Sequence, residues 1–277
     1  MSSPVASQGL DSLMQAEFNN PVTVEPAIFR STTIVNGHSV NMLPGGTLDF
    51  RIEHRFGKLN IGLYELFGLD NASIHFSFEY GLTDWLMVGA GRGTYEKTYD
   101  GFIRVKPLTQ KKGADSFPFS LAYQSSIYVN TLRYLADLDG FNFTQRLEHV
   151  HQLMIARKFG KITSVQLMPS YLRRTPMPAL TEQTDLLALG TALSFRITNG
   201  FSFNVEYYPV LNRDRALSPV KLYDPLSFGF DLETGGHIFQ LILSNSLAMT
   251  EHGIIGNTTG DWQNGDIHFG FNISRVF

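Results

Sequence analysis

From Thr47 onward the chain repeats segments of about ten residues in which every second position is apolar, the signature of a strand with two different faces. Leu48, Phe50 and Ile52 alternate with Asp49, Arg51 and Glu53. Ile74, Phe76, Phe78 and Tyr80 alternate with His75, Ser77 and Glu79, and Phe117, Phe119, Leu121 and Tyr123 with Ser120, Ala122 and Gln124. Leu187, Leu189, Leu193, Phe195 and Ile197 lead through Thr198-Asn199-Gly200 into Phe201, Phe203, Val205 and Tyr207, and an Asn-Gly between two such runs is a strong hairpin signal. Leu226, Phe228, Phe230 and Leu232 meet His237, Phe239, Leu241 and Leu243 across Glu233-Thr234-Gly235-Gly236, and Ile267, Phe269, Phe271 and Ile273 form a last strand. Less regular strands fit at 85–95, 98–107, 146–158 and 162–172, which brings the total to about twelve.

The connections fall into two sets. Leu82-Thr83-Asp84, Phe159-Gly160-Lys161, Thr198-Asn199-Gly200 and Glu233 to Gly236 are short; 57–72, 131–145, 173–183, 211–224 and 248–264 are long. If each strand hairpins to the next, the two sets lie at opposite ends, with 107–116 on the short side and 91–97 on the long side as exceptions. An even strand number, alternation over about ten residues and this loop asymmetry predict an all-β, antiparallel, up-and-down transmembrane β-barrel over residues 46–277, with its apolar phase toward lipid. Both chain ends and the short turns are then periplasmic, and the loops 57–72, 131–145, 211–224 and 248–264 external. Leu48, Phe50, Phe76, Phe78, Phe203, Phe228, Phe230, Phe269 and Phe271 are the expected lipid-facing set. A soluble ligand-binding barrel, with the apolar phase turned inward, is the competing architecture.

Residues 1–45 are an appendage. Leu10, Leu13, Met14 and Phe18 have helical spacing that Asn19-Asn20-Pro21 stops, and an extended stretch follows with a turn at Asn36-Gly37. With Ile28, Phe29, Ile34 and Val35, residues 22–45 are too apolar to hang in water; they are expected to enter or cap the lumen from the periplasmic side, the alternative being an extra strand or a segment lying flat on the periplasmic rim. Met1 to Met14 has neither the basic start nor the apolar run of a secretory signal.

Composition sharpens this picture. Charged residues make up 17% of the chain against about 25% in an average soluble domain. With 22 basic and 25 acidic residues there is no excess of positive charge for nucleic acid. The absence of Cys removes disulfides, Fe–S clusters and Cys nucleophiles together.

Between Leu48 and Thr109 the chain carries Asp49-Phe50-Arg51-Ile52-Glu53-His54-Arg55-Phe56-Gly57, Leu66-Phe67-Gly68-Leu69-Asp70-Asn71-Ala72, Tyr80-Gly81-Leu82-Thr83-Asp84 and Glu96-Lys97-Thr98-Tyr99-Asp100-Gly101. This stretch resembles an uncharacterised outer-membrane barrel family of Bacteroidota-type bacteria, a domain of unknown function, and the likeness extends over about 30–277. The final Phe277 resembles the C-terminal aromatic by which outer-membrane barrels are recognised for assembly. The resemblance implies a diderm envelope, a signal peptide absent from this sequence, and no established activity.

Candidate chemistry is sparse. His54 and His237 lie in phase with the lipid-facing wall without a catalytic motif around them, so no enzyme activity is expected. His149 and His151 share one strand face but lack a third ligand, so no metal or other cofactor is assigned. Closing the barrel pairs the last strand with the first. This predicts a lumen network of Arg51, Glu53, Arg55, His75, Glu79 and His268. Gly89, Gly91 and Gly93 share the inner phase of the third strand and are candidate contacts for an inserted segment. Three functions fit: a narrow or plugged porin-like conduit for small polar solutes, a non-conducting barrel that anchors an envelope protein complex, or a soluble binding barrel. The expected partners are outer-membrane lipid and an envelope complex.

Overall fold

A computed structural model describes residues 23–25, 27–113, 115–133, 142–175, 183–214, 217–218 and 220–277. The helix expected near 10–18 lies outside them. Among the described residues twelve antiparallel strands close a barrel: β1 Leu48–Lys58, β2 Ala72–Thr83, β3 Leu86–Gly93, β4 Thr98–Leu108, β5 Ser120–Asn130, β6 Leu147–Phe159, β7 Thr163–Arg174, β8 Asp185–Arg196, β9 Phe201–Tyr207, β10 Leu226–Thr234, β11 His237–Ser244 and β12 His268–Val276. Each strand pairs with its neighbours in sequence, and β12 closes on β1 with Asn272 opposite Glu53 and Ser274 opposite Arg51. The order is up-and-down, as the alternation predicts. The fifth strand starts later than its sequence pattern, at Ser120, because Phe117 is drawn into a bridge with Lys111.

The two faces are sorted against the habit of soluble proteins. Arg51, Arg55 and Arg104 are 1%, 0% and 0% exposed, whereas Phe76 and Phe78 are 43% and 53% exposed. An exterior of this kind is unfavourable in water and natural in hydrocarbon, where a closed barrel leaves no strand edge unpaired. Rings stack along the outer wall of β12, β1 and β2: Phe50 lies 4.9 Å from Phe78, His54 5.0 Å from Phe271, and Phe56 5.9 Å from Phe269. The soluble barrel is thereby excluded, since it needs the opposite orientation.

Among the described residues two segments occupy the interior. Residues 27–43 form a hairpin that rises among the strands, and residues 245–258 fold in from the long-loop mouth. The latter contain helix α1, Glu251–Asn257, in which Glu251, His252, Ile254 and Ile255 are all buried. This corrects the expectation that all of 248–264 projects outward: Ile254, Ile255 and Met249 are buried by turning in, and Ile255 joins an apolar cluster of the interior.

Candidate functional site: the filled lumen

On β1 the inward residues are Asp49, Arg51, Glu53 and Arg55; β2 adds His75, Ser77 and Glu79, and β4 adds Asp100, Phe102 and Arg104. Charges out of water must be paired. Arg51 meets Asp49 at 3.0 Å and donates to the hydroxyls of Thr32 at 2.6 Å and Ser31 at 3.1 Å, both on the hairpin. Arg55 donates to Asn272 Oδ1 and to hairpin Asn36 Oδ1, each at 2.8 Å. Arg104 donates to Gln124 Oε1 at 2.7 Å and to the Asn41 carbonyl at 3.0 Å, and its guanidinium lies over the Phe102 ring. His75 stands between two carboxylates, with Nδ1 2.7 Å from Glu53 and Nε2 2.7 Å from Asp100. Both ring nitrogens can donate only as imidazolium.

The six predicted network residues are thus all buried, and Arg51, Glu53, His75 and Glu79 border one small space. Glu53 and His75 pair across β1 and β2. Glu79 faces His38 of the hairpin, 3.7 Å from its Nε2. His268 stands apart: its Nδ1 bonds the Phe56 carbonyl at 2.8 Å, because the register shifts between His268 and Gly270 and turns the ring toward the strand end. Asp100, Arg104 and Asp49 were missed. Asp49 was visible in the alternation; Asp100 and Arg104 lie in the inner phase of a strand whose pattern Gly101 and Pro107 blur.

The neighbouring wall differs in kind. On β6, β7 and β8 the inward residues include Val150, Met154, Met168, Leu172, Leu186 and Ala188, and with hairpin Ile28, Phe29, Ile34, Val35 and Val40 they make one apolar cluster.

The hairpin is built from its own sequence. Asn36-Gly37 makes the turn, with Ile34 N–H donating to the Gly37 carbonyl at 2.9 Å and Ser39 N–H to Thr32 at 2.8 Å. Asn41 Oδ1 accepts from Ile28 N–H at 3.0 Å while its Nδ2 donates to Phe29 O at 2.7 Å, tying the two arms together. The tip points its N–H groups at one carboxylate: Glu206 accepts from Asn36 at 3.2 Å and from Gly37 at 3.0 Å. Gln166 accepts from Val40 N–H and donates to His38 O, both at 2.8 Å. The barrel therefore satisfies backbone groups that a lone hairpin would leave bare.

The glycines locate the contact. A Cβ at Gly81 would come within 2.3 Å of the Pro44 carbonyl, and one at Gly229 within 3.2 Å of Val35. Gly89, Gly91 and Gly93 were the candidates for this role, but their space is taken by the barrel itself: Phe102 fills the place beside Gly89, and His75 and Asp100 that beside Gly91. The nearest group to a Cβ at Gly93 is again His75.

At the long-loop mouth α1 completes the filling. Glu251 accepts from Tyr128 Oη at 2.9 Å and lies 2.5 Å from His38 Nδ1, so the segments entering from the two ends meet at this carboxylate. His252 stacks on Tyr128 at 4.2 Å. Gly256 leaves the room that the Arg174 guanidinium occupies, and Arg174 bonds Asn257 at 2.8 Å. Small voids lie along the charged wall, among them one of about 20 Å³ lined in part by Arg51, Glu53, His75 and Glu79, and one of about 10 Å³ beside His75, Thr98 and His252. The larger has room for roughly one water.

Other singled-out residues lie elsewhere. His149 and His151 face outward, and His151 stacks between Tyr123 and Tyr171 at 6.2 and 6.3 Å. Among the described residues no group of three His, Asp or Glu is arranged to hold a metal ion.

No curated protein matches the sequence. Among solved structures, the NanC porin is 9% identical with a TM-score of 0.48, the match covering 83% of this chain and 98% of that one. The KdgM porin in complex with disordered oligogalacturonate gives 7% identity, a TM-score of 0.48, and coverage of 83% and 99%. LpxR from Salmonella typhimurium gives 11% identity, a TM-score of 0.35, and coverage of 84% and 99%. With its strands closed, its aromatic phase outward and its charges inward, the chain belongs to the family described as a membrane-bound beta-barrel domain, DUF5777, whose match spans residues 29–277.

Proposed function

We propose that the protein is a porin-like conduit of the outer membrane whose lumen is held shut by the 27–43 hairpin and the 245–258 segment, and that small polar solutes pass along the wall of β1 to β4. The observation that carries this reading is the division of the lumen. On the β6 to β8 side the hairpin is packed by apolar side chains, and wetting that face would forfeit about 25 cal/mol per Å². On the β1 to β4 side it is held by hydrogen bonds to Arg51, Arg55 and Arg104, which water or a polar solute can replace. A small displacement on that side alone would open a charged path while the apolar side stays closed. The reading assigns the protein no reaction.

Planar-bilayer recording tests it. The full chain should be nearly silent, and a variant lacking residues 1–45 that still shows the heat-dependent gel shift of a folded barrel should give larger or newly appearing steps. Unchanged conductance in that folded variant would instead favour a non-conducting barrel that anchors an envelope complex. The continuous apolar cluster is the feature that speaks for that second reading.

A further inference from the structure

The loop between β1 and β2, residues 59–71, carries six apolar residues that the other described residues leave exposed: Ile61, Leu63, Tyr64, Leu66, Phe67 and Leu69, with Leu63 73% and Tyr64 94% exposed. Single exposed apolar residues are common on proteins; six within nine positions are not.

The loop is nevertheless well built. Gly57 N–H donates to the Asn71 carbonyl at 2.8 Å, and Phe67 N–H to Gly62 at 2.8 Å. Gly68, at φ +88°, lies so close to Gly57 that a Cβ there would come within 2.6 Å of its carbonyl carbon. Asn60 ties the loop to its neighbour through Asn264 O at 2.9 Å and Asp266 at 2.8 Å. Leu66 and Phe67 have φ of 45° and 55°, a left-handed backbone that costs a non-glycine residue roughly 1–2 kcal/mol. A loop selected only to connect two strands in water would place Gly or Asn there. Here large apolar residues are held outward in that conformation. Asn71 donates to the Glu65 carboxylate at 3.0 Å within the loop.

Continuity identifies what covers this surface. The loop springs from the end of an aromatic sector of the outer wall, where outward Phe56 stacks on Phe269 and His54 on Phe271, so its apolar residues prolong the lipid-facing belt past the strand ends. We infer that residues 61–69 form a foot that lies in the boundary between acyl chains and headgroups of the outer leaflet, holding the barrel at a fixed depth and rotation. Aliphatic and aromatic residues above a polar edge are the chemistry that boundary takes up. This inference does not depend on whether the lumen conducts.

Because the chain has no cysteine, single-cysteine variants carry one label each. Y64C and F67C, labelled with an environment-sensitive dye, would be reconstituted in phosphatidylcholine vesicles with or without lipids bearing a nitroxide near the headgroup. F78C serves as the belt reference and Q263C as a polar reference at the same mouth; each variant is first checked for the barrel gel shift. The quencher should reduce emission at positions 64 and 67 by roughly twofold or more, exceeding its effect at mid-span position 78, while position 263 changes little. Emission at 64 and 67 that tracks 263 would overturn the inference. So would shielding that appears only as the protein-to-lipid ratio rises, because a second copy would then be the cover.

Discussion

The charged wall of β1 to β4 and the apolar wall of β6 to β8 hold the same hairpin by different physics. On the charged wall, Arg51, Arg55 and Arg104 each reach hairpin atoms through bonds of 2.6–3.1 Å, and the same guanidiniums keep the neighbouring carboxylates compensated. On the apolar wall Met154, Met168 and Leu172 share one apolar cluster with Ile34, Val35 and Val40, and the directional bonds there are neutral: Val40 N–H to Gln166, Gln166 to the His38 carbonyl and Ser164 to the Ile28 carbonyl, each at 2.8 Å. Paired charges specify a position sharply but contribute little net stability once desolvation is counted. Apolar burial stabilises more and specifies less. The hairpin is thus fixed in register by one wall and kept in the barrel by the other, and this difference can be broken from either side.

The largest effect belongs to the charged wall. R51M should cost about 3–5 kcal/mol, because Asp49 stays buried beside Glu79 without its cation. Urea unfolding followed by gel mobility would read the loss, and D49N in the R51M background should recover part of it. Failure of D49N to recover any would show that the arginine acts by volume rather than charge. On the apolar wall, L172A should cost about 3 kcal/mol through its cavity, with no rescue by any change of charge. If R51M and L172A proved equally rescuable by D49N, the two walls would not differ as described.

Next in size is the contact that places the hairpin. G81A puts a methyl against the Pro44 and Leu43 carbonyls, whereas G89A meets only Phe102. Each should cost about 1–3 kcal/mol in the full chain. In a chain lacking residues 1–45 the G81A penalty should vanish and that of G89A persist. A G81A penalty that survives the deletion would mean the clash is internal to the barrel.

How much of this was legible in the sequence follows from the range of the interactions. Strand identity, the outward set from Leu48 to Phe271 and the closure of β12 on β1 are local or follow from period two, and they read off directly. The inner face of β1 was equally plain, since Asp49, Arg51, Glu53 and Arg55 alternate without interruption. The partners were not. His38 meets Glu251 between segments that enter from opposite ends, Asp100 meets His75 over Gly91 of the strand between them, and nothing in the spacing of such residues says that they touch. The glycine reading failed for a related reason: an empty side-chain position at 89 or 91 can be filled by any neighbour, and here strand β4 supplied it with Phe102 and Asp100. The inward turn of α1 was hidden because Glu251-His252-Gly253 looks like a solvated loop until Tyr128, His38 and Arg174 surround it.

The smallest expected effect sharpens the comparison at the rim, where the hairpin enters beside the apolar wall. There Glu25 pairs with Lys112 and, at 3.2 Å, with Lys158 on β6. The hydrogen bond from Lys112 holds the Glu25 carboxyl below the usual glutamate range, against the upward push of partial burial, and Lys158 adds to the lowering. A carboxyl depressed in the folded state contributes stability above its unfolded pKa and loses it as pH falls through the folded value. Being near the surface, the clamp should be worth under about 1 kcal/mol and be screened by salt. Wild type should therefore exceed E25Q slightly in urea midpoint at neutral pH and low salt, with the gap closing both in acid and at high salt. The many buried carboxylates titrate in both proteins, so only the difference between them reports on Glu25. A gap that persists in acid would make the side chain's packing, and not its charge, what steadies the entry of the hairpin.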